Sequence, residues 1–176
     1  MNYAVNHKGN LRGLVIMNTW AWPSTEKQKI FSQVMGGWPI GYLLQTQLNF
    51  FATTMIKEGI YHQENVTETL KAAYADPFPT PESRLPTWIF PQQIVKSEGW
   101  LAQIESKLPE LSELPVQLVW GTKDPLTGGE EFISKWSTFF KNPEIERLDD
   151  ASHFLQEDRP DRVAENIRRV FERTLK

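Results

Sequence analysis

Two short apolar runs stand out in the pattern of hydrophobic and polar positions along the chain. They are 13-GLVIMN-18 and 114-LPVQLVWG-121, and both are almost unbroken. Strands buried on both faces of a parallel sheet have this pattern, whereas strands with one solvated face alternate apolar and polar residues. A third, shorter strand is predicted at 144-EIERL-148, after a helical segment. The pattern therefore predicts three strands of a parallel sheet.

Helical periodicity fills most of the remaining chain. Residues 24–75 show it without any strand signal between them, and a further helix fits residues 90–108. Between these segments, 76-DPFPTPESRLP-86 contains four of the twelve prolines, which predicts an extended loop. The other predicted helical segments are residues 2–7, with Gly9 as a C-cap, residues 128–141, and residues 160–176, which begin at Pro160.

The order of these elements predicts an α/β fold in three parts. Alternation of strand and helix implies a parallel sheet, with helices on both of its faces. The helical block between the first and second strands is too long for a single crossover, so we predict that it is an insertion above the sheet. We therefore divide the chain into residues 1–19 with the first strand, a helical cap at 20–110, and a strand–helix–strand–helix part at 111–176.

Composition and charge disfavour several classes of function. The net charge of −3 gives no sign of a nucleic-acid or anionic-membrane partner. The chain has no Cys, no metal-ligand spacing and no glycine loop for phosphates, so no metal or cofactor is predicted. No apolar run reaches the roughly 18 residues of a membrane helix. The first residues, MNYAVNHKGNLRG, lack the apolar core of a signal peptide, and the expected location is the cytoplasm.

Polar side chains follow the predicted strands at the edge of the sheet where α/β proteins form their sites. Asn18 follows the first strand, Asp124 the second and His153 the third. An Asp and a His on successive loops suit a base and the carboxylate that orients it. The spacing leaves an alternative open, in which Asp124 ends a strand in an Asx turn and His153 caps a surface loop.

Four stretches of the sequence resemble the C-terminal half of the haloalkane dehalogenases, a family of α/β-hydrolases. The stretches are YAVNHKGNLRGLVIMNTWAWP (3–23), YADPFPTPESRLP (74–86), LVWGTKDP (118–125) and DASHFLQEDRP (150–160). The last of them and the DPFP loop are the more specific parts. The resemblance extends over essentially the whole chain and implies a truncated α/β-hydrolase fold, namely the C-terminal part of a parallel sheet with a helical cap. It also places the first residues at the end of the helix that follows the nucleophile.

This resemblance implies a reaction for the parent enzyme. An aspartate on a strand-to-helix elbow attacks the carbon that bears the halogen, and a histidine then activates water to hydrolyse the alkyl ester. On the matching positions, His153 is the base and Asp124 is the acid that orients it. The substrate implied is a small apolar, halogenated molecule.

The resemblance also implies N–H donors that assist departure of the halide. Trp38, in 36-GGWPIGYLL-44, matches the donor of the cap best. Trp20 and Trp22 lie nearer the first strand and are rivals for this role, and Asn18 is a further candidate for halide or substrate binding. An indole N–H suits the task because a donor aimed at developing negative charge in an apolar pocket lowers the barrier.

The elbow itself has no counterpart in the chain, since no G-x-D/S-x-G pattern occurs. We therefore expect a split, mis-started or degenerate hydrolase that does not turn over substrate alone. One alternative parent is another α/β-hydrolase, either an esterase or an epoxide hydrolase. Epoxide hydrolases of this fold use cap tyrosines as acids, and the candidates here are Tyr42, Tyr61 and Tyr74, with Tyr42 favoured. Another alternative is a non-catalytic interaction module, in which the exposed edge of the strand at 13–18 binds a partner strand or a second copy.

Overall fold

The computed structural model describes residues 1–175, which form two compact units. The sheet unit consists of Met1–Trp22 together with the chain from Leu101 on, and the helical unit is Pro23–Trp100. The strands are β1 (Leu14–Met17), β2 (Val116–Gly121) and β3 (Glu144–Leu148). The helices are α1 (Asn2–Asn6), α2 (Glu26–Gly36), α3 (Ile40–Thr46), α4 (Ile56–Glu58), α5 (Glu68–Ala75), α6 (Leu85–Lys96), α7 (Glu98–Lys107), α8 (Glu130–Ser137), α9 (Leu155–Asp158) and α10 (Pro160–Arg173).

The three predicted strands are confirmed, and they pair in the order β1-β2-β3 with both pairs parallel. Leu14 is opposite Val116, and Gln117 is opposite Glu144. All six residues of β2 are buried. Full burial is the result of a neighbouring strand on each side and a covered face above and below, which is why this segment reads as a nearly continuous apolar run.

Side chains of the strands alternate between two separate cores, as the two-residue period of a strand requires. Ile16, Leu118 and Trp120 belong to a large aromatic core with Phe132 and Trp136 of α8. On the opposite face, a smaller core contains Val119, Leu148, Leu155 and Val163, with Val15 and Met17 packed against it. The sheet is therefore covered on both faces, as the alternation of strands and helices predicts.

Helix α10 covers the smaller core with one face. Val163, Asn166 and Val170 are its buried residues, at the spacing of a single helical stripe. Pro160 occupies the first turn, where its missing N–H leaves no intrahelical bond unmade. The predicted final helix is thus confirmed, and a short helix that the sequence did not reveal, α9, precedes it.

The helical unit lies within the interval 20–110 that the sequence predicts for the cap. Helix α2 starts with a capping box, in which the Thr25 hydroxyl accepts from the Gln28 N–H at 3.3 Å and the Gln28 side chain accepts from the Thr25 N–H at 2.8 Å. The hydroxyl of Ser32, on α2, donates to the carbonyl of Pro91, on α6, at 2.6 Å. Between residues 1 and 175, no helix has the length and apolar character needed to cross a bilayer.

Several predicted boundaries were wrong. The helix predicted at 90–108 begins earlier, at Leu85, because Pro86 is tolerated in a first helical turn, and Ser97 divides it into α6 and α7. The proline-rich stretch before it is compact and not extended, since the Arg84 guanidinium donates to the carbonyls of Phe78, Thr46, Gln47 and Pro79. Gly9 is not the C-cap of α1, since His7 caps this helix and Gly9 lies within a 3₁₀ turn.

Candidate active site

Asp124 and His153 meet at the carboxyl end of the sheet, as the sequence predicts. Asp124 lies in the turn after β2, and His153 lies in the loop after β3. The imidazole Nδ1 is 2.7 Å from the Asp124 Oδ2. This separation falls within the range of about 2.6–3.2 Å that a base and its partner require. With an ionised carboxylate, Nδ1–H is the donor, and the basic nitrogen Nε2 is on the opposite side of the ring.

The loop that carries His153 is held in place by close contact with the main chain of β2. A Cβ on Gly121 would lie 2.2 Å from the carbonyl oxygen of Ser152, so no other residue fits at this position without displacing the loop. The N–H of Ser152 donates to the Asp158 carboxylate at 2.8 Å. Together these contacts fix the residue that precedes the histidine.

The Asp124 carboxylate accepts hydrogen bonds from five donors. Its Oδ2 accepts from the His153 ring, from the Asn18 Nδ2 at 3.0 Å and from the Thr127 hydroxyl. Its Oδ1 accepts from the main-chain N–H groups of Leu126 at 2.8 Å and Thr127 at 3.2 Å. The side chain of Asp124 is only 1% exposed, whereas that of His153 is 43% exposed. The pair therefore combines a sheltered acid with a base that is accessible on its outer side.

Two opposing effects act on the pKa of Asp124. Burial alone would raise it, because the charged form loses hydration. The hydrogen bond and the charge of His153, together with the hydrogen bonds from Thr127 and Asn18, outweigh burial and hold the pKa of Asp124 well below its ordinary value. The carboxylate is therefore ionised at neutral pH and able to stabilise a positive charge on the imidazole ring.

Asn18 lies beside the Asp124 carboxylate, with all of its amide groups paired. Its Nδ2 donates to the Gly121 carbonyl at 2.9 Å as well as to Asp124, and its Oδ1 accepts from the Gly121 N–H at 2.7 Å. Asn18 has a positive φ of 28°, a region in which Asn is tolerated better than most residues. Both N–H bonds of this amide are used within the protein, which leaves none for a halide or substrate, the binding role for which the sequence makes Asn18 a candidate.

The three candidate tryptophans lie in different surroundings. Trp22 is buried in the aromatic core, with its ring centroid 5.0 Å from that of Trp136. Trp20 packs against the same core, and its indole Nε1 is buried and has no hydrogen-bond partner among residues 1–175. Trp38 belongs to the helical unit, where it is 74% exposed and its ring lies 5.0 Å from that of Tyr42.

Two residues of this site were missed from the sequence. Thr127 supplies two of the five hydrogen bonds to Asp124, and Trp120 donates its indole N–H to the Thr127 carbonyl at 2.7 Å. A threonine three residues after an aspartate in a Gly/Asp/Pro turn is a recognisable signal, because Asp side chains often bond to main-chain groups that follow them. The contribution of Trp120 had no such local signal.

Comparisons with known proteins agree with this fold and its sheet. No protein-family model matches the chain. It is 34% identical over 169 residues to haloalkane dehalogenase 2 of Mycobacterium tuberculosis, covering 95% of this chain and 58% of that protein. It is 25% identical over 178 residues to the cis-3-alkyl-4-alkyloxetan-2-one decarboxylase of Xanthomonas campestris pv. campestris, covering 97% of this chain and 58% of that protein.

Solved structures show the same similarity. The DbeA-M1 loop variant of the haloalkane dehalogenase from Bradyrhizobium elkanii matches with a TM-score of 0.80 at 22% identity, over 99% of this chain and 64% of that one. The putative ancestral haloalkane dehalogenase AncHLD2 matches with a TM-score of 0.77 at 25% identity, over 96% and 62%. The fold is thus that of the α/β-hydrolases. By these similarities the chain corresponds to part of a haloalkane dehalogenase-like α/β-hydrolase, and it spans 58% of the length of the curated relatives it matches.

Proposed function

We propose that this chain supplies the base and the acid of a haloalkane dehalogenase-like hydrolase, and that the nucleophile belongs to a polypeptide segment outside these 176 residues. The observation that carries the proposal is the contact of 2.7 Å between the His153 Nδ1 and the buried carboxylate of Asp124. The sequence identity of 34% to haloalkane dehalogenase 2 supports the choice of family. The lack of a G-x-D/S-x-G pattern supports the external nucleophile.

The proposed role of His153 is to activate water. An aspartate nucleophile would displace halide from an alkyl carbon and become an ester. Water would then attack the carbonyl carbon of this ester while its proton passes to the Nε2 of His153, and Asp124 would stabilise the resulting imidazolium. Collapse of the intermediate releases the alcohol, which takes the proton from Nε2 and restores both the carboxylate nucleophile and the neutral base.

The halide is proposed to leave toward an indole N–H donor. Trp38 holds this role by its match to the cap position, and it is free of the aromatic core that encloses Trp22. Trp20 is the rival with structural support, because its buried Nε1 has no partner among the described residues, and such unpaired donors are uncommon unless they serve a ligand or water. The proposed substrate is a small, apolar, halogenated molecule.

The β1 edge, defined by the main-chain groups of Val15 and Met17, is the proposed contact for the missing polypeptide. The Leu14 N–H donates toward β2, to the Pro115 carbonyl at 2.9 Å. Hydrogen-bonding directions alternate along a strand, so the groups of Val15 and Met17 point away from β2. A strand added at this edge would continue the parallel sheet. The alternative occupant is a second copy of the chain, which would make this a self-associating module.

The experiment that tests the function is a reconstitution. The chain would be co-expressed with the part of the Mycobacterium tuberculosis relative that the chain does not cover, and halide release from 1,2-dibromoethane would be measured. We expect no release by either part alone, release by the pair, and loss of release with His153→Ala. His62→Ala is the matched control, because His62 contacts Glu64 at the surface of the helical unit and should leave the rate unchanged.

The outcome also separates the remaining alternatives. An assembled pair that opens an epoxide or an alkyl-substituted oxetan-2-one but releases no halide would replace the dehalogenase proposal by one of those substrate classes. Halide release by the chain alone that disappears in His153→Ala would overturn the proposal of an external nucleophile. A pair that does not assemble, together with a defined oligomer of the chain by light scattering, would favour the interaction module.

A further inference from the structure

Among the described residues, Thr127 donates the most hydrogen bonds to the Asp124 carboxylate. It is fully buried, and it donates through both its main-chain N–H, at 3.2 Å to Oδ1, and its hydroxyl, to Oδ2. These two bonds reach different oxygens, so they fix the plane of the carboxylate as well as its position. The oxygen that accepts the hydrogen bond from this hydroxyl is the same Oδ2 that accepts from His153.

The hydroxyl of Thr127 has one proton and two acceptors within reach. Its Oγ1 also lies 3.2 Å from the carbonyl oxygen of Asn18. An ionised carboxylate is the stronger acceptor, because hydrogen bonds to a charged group are shorter and stronger than those between neutral groups. The hydroxyl therefore donates its hydrogen bond to Asp124. A protonated or displaced Asp124 would leave the Asn18 carbonyl as the remaining acceptor.

Thr127 is itself held from the core of the sheet unit. The indole N–H of Trp120, a fully buried residue of β2, donates to the Thr127 carbonyl at 2.7 Å. The Gly128 N–H donates to the Asp124 carbonyl at 3.0 Å and closes the turn. A Cβ at Gly128 would lie 2.5 Å from that same carbonyl oxygen, so the turn requires glycine here. The chain of contacts runs from Trp120 through Thr127 to Asp124 and His153.

We propose that Thr127 is a positioning residue for the acid and base, and that the hydrogen bond from the Trp120 indole keeps Thr127 in place. The Thr127 hydroxyl fixes the position of Asp124 Oδ2. Because this oxygen accepts the hydrogen bond from the His153 Nδ1–H, its position sets the orientation of the imidazole ring. The catalytic meaning of this orientation rests on the proposed function. The orientation itself is a property of the sheet unit, and it is measured without any substrate.

The test follows the His153 Nδ1 proton by NMR in the 176-residue chain. A ring N–H that donates to a buried carboxylate gives a low-field resonance that exchanges slowly with water. We expect this resonance in the wild type and in Thr127→Ser, which retains a hydroxyl. Thr127→Val removes the hydroxyl donor at nearly constant shape and keeps the main-chain N–H. We expect the Nδ1 proton to exchange at least about tenfold faster, a change of about 1.4 kcal/mol or more in protection, or its resonance to be lost.

The matched control is Thr122→Val. Thr122 lies in the same turn, but its hydroxyl donates to Asp149 at 2.9 Å in an exposed position, so the resonance should persist. A resonance unchanged in Thr127→Val would overturn the proposal and leave Thr127 a merely structural role. If Thr127→Val does not fold, Trp120→Phe decides, since it removes the indole donor while a buried aromatic ring remains at this position. An unchanged resonance in that variant would likewise count against positioning, whatever the outcome of the reconstitution assay.

Discussion

The carboxylate of Asp124 keeps its charge where water does not reach, because protein donors replace the hydration that burial removes. An unpaired charge in such a place would be strongly destabilising. With five donors converging on two oxygens, the charge is instead held in one orientation. The stability of the sheet unit and the geometry of the proposed site therefore depend on the same few hydrogen bonds.

Stability at low pH should report this carboxylate. The pKa of Asp124 is lower in the folded chain than the ordinary value near 3.9, so its contribution is present above that value and is lost as pH falls toward the folded pKa. We expect Asp124→Asn to be less stable at pH 7 and to lose less stability than the wild type between about pH 5 and 2. Urea unfolding across this range measures the difference.

The control for this prediction is Glu113→Gln. Glu113 pairs with Lys141 at the surface, with both side chains well exposed, and such pairs contribute little. This variant should follow the wild-type profile. Parallel profiles for wild type and Asp124→Asn would mean that the buried carboxylate is not the group that stabilises the fold at neutral pH.

The donor for the halide can be assigned by removing single indole N–H groups. In the reconstituted pair, we expect Trp38→Phe to lower kcat/KM for a haloalkane by roughly 10²–10³, as loss of one oxyanion-hole donor does, with little change in Tm because the side chain is exposed. Trp22→Phe is the control for core packing. A comparable loss in Trp20→Phe, with Trp38→Phe unaffected, would move the role to the unpaired Nε1 of Trp20.

At the residue scale, the sequence predicted the contacts that follow from the order of strands and helices. Asp124 and His153 follow neighbouring parallel strands, so their contact follows from topology. The roles of Thr127 and Trp120 at the site could not be predicted in the same way. A buried tryptophan is normally read as core, and only the turn geometry after β2 brings its N–H to the carbonyl that it holds.

The strands at the two edges of the sheet differ in how exposed their side chains are. Val15 and Met17 of β1 pack against the smaller core, whereas Glu144 and Ile145 of β3 are exposed. Charged and exposed side chains protect an edge from pairing, and an apolar edge strand invites it. The β1 edge is therefore the one that we expect to accept a further strand.

Proline substitutions separate the two edges. Val15→Pro removes an N–H that points away from β2. We expect it to abolish assembly with the complementary segment, the part of the relative used in the reconstitution, while the chain remains folded. Ile145→Pro removes an N–H of β3 that points away from β2. In the parallel pair, Leu118 lies opposite Ile145 and its own main-chain groups point toward β3, so those of Ile145 point outward. This variant should assemble normally. Co-purification and circular dichroism measure both properties, and equal behaviour of the two variants would contradict a specific role for the β1 edge.

Among the elements, buried strands were predictable and helix boundaries were less so. Strand β2 is buried throughout, which produces a run that no surface helix has. Helix α6 was placed too late because its first turn contains Pro86 and its interior contains Pro91. Proline usually marks a break, but it is compatible with a first turn, and the contacts of α2 with the Pro91 carbonyl support the rest.

At the scale of the whole molecule, the free edge predicts that the isolated chain does not remain a simple monomer. We expect light scattering to show self-association that increases with concentration, and we expect the complementary segment to reduce it by occupying the β1 edge. Val15→Pro should reduce self-association in the same way. A monomer at all concentrations, with or without the substitution, would show that the edge is not available for pairing in solution.

The position of the helical unit between β1 and β2 has a consequence for synthesis. Leu14 pairs with Val116, so β1 leaves the ribosome about one hundred residues before its partner strand exists. At about 5–20 residues per second, this strand waits roughly 5–20 s with its apolar faces uncovered. During that delay the helical unit emerges, and its internal contacts can form before β2 exists. Chaperone demand during translation should therefore centre on β1 and not on the far larger helical unit that follows it.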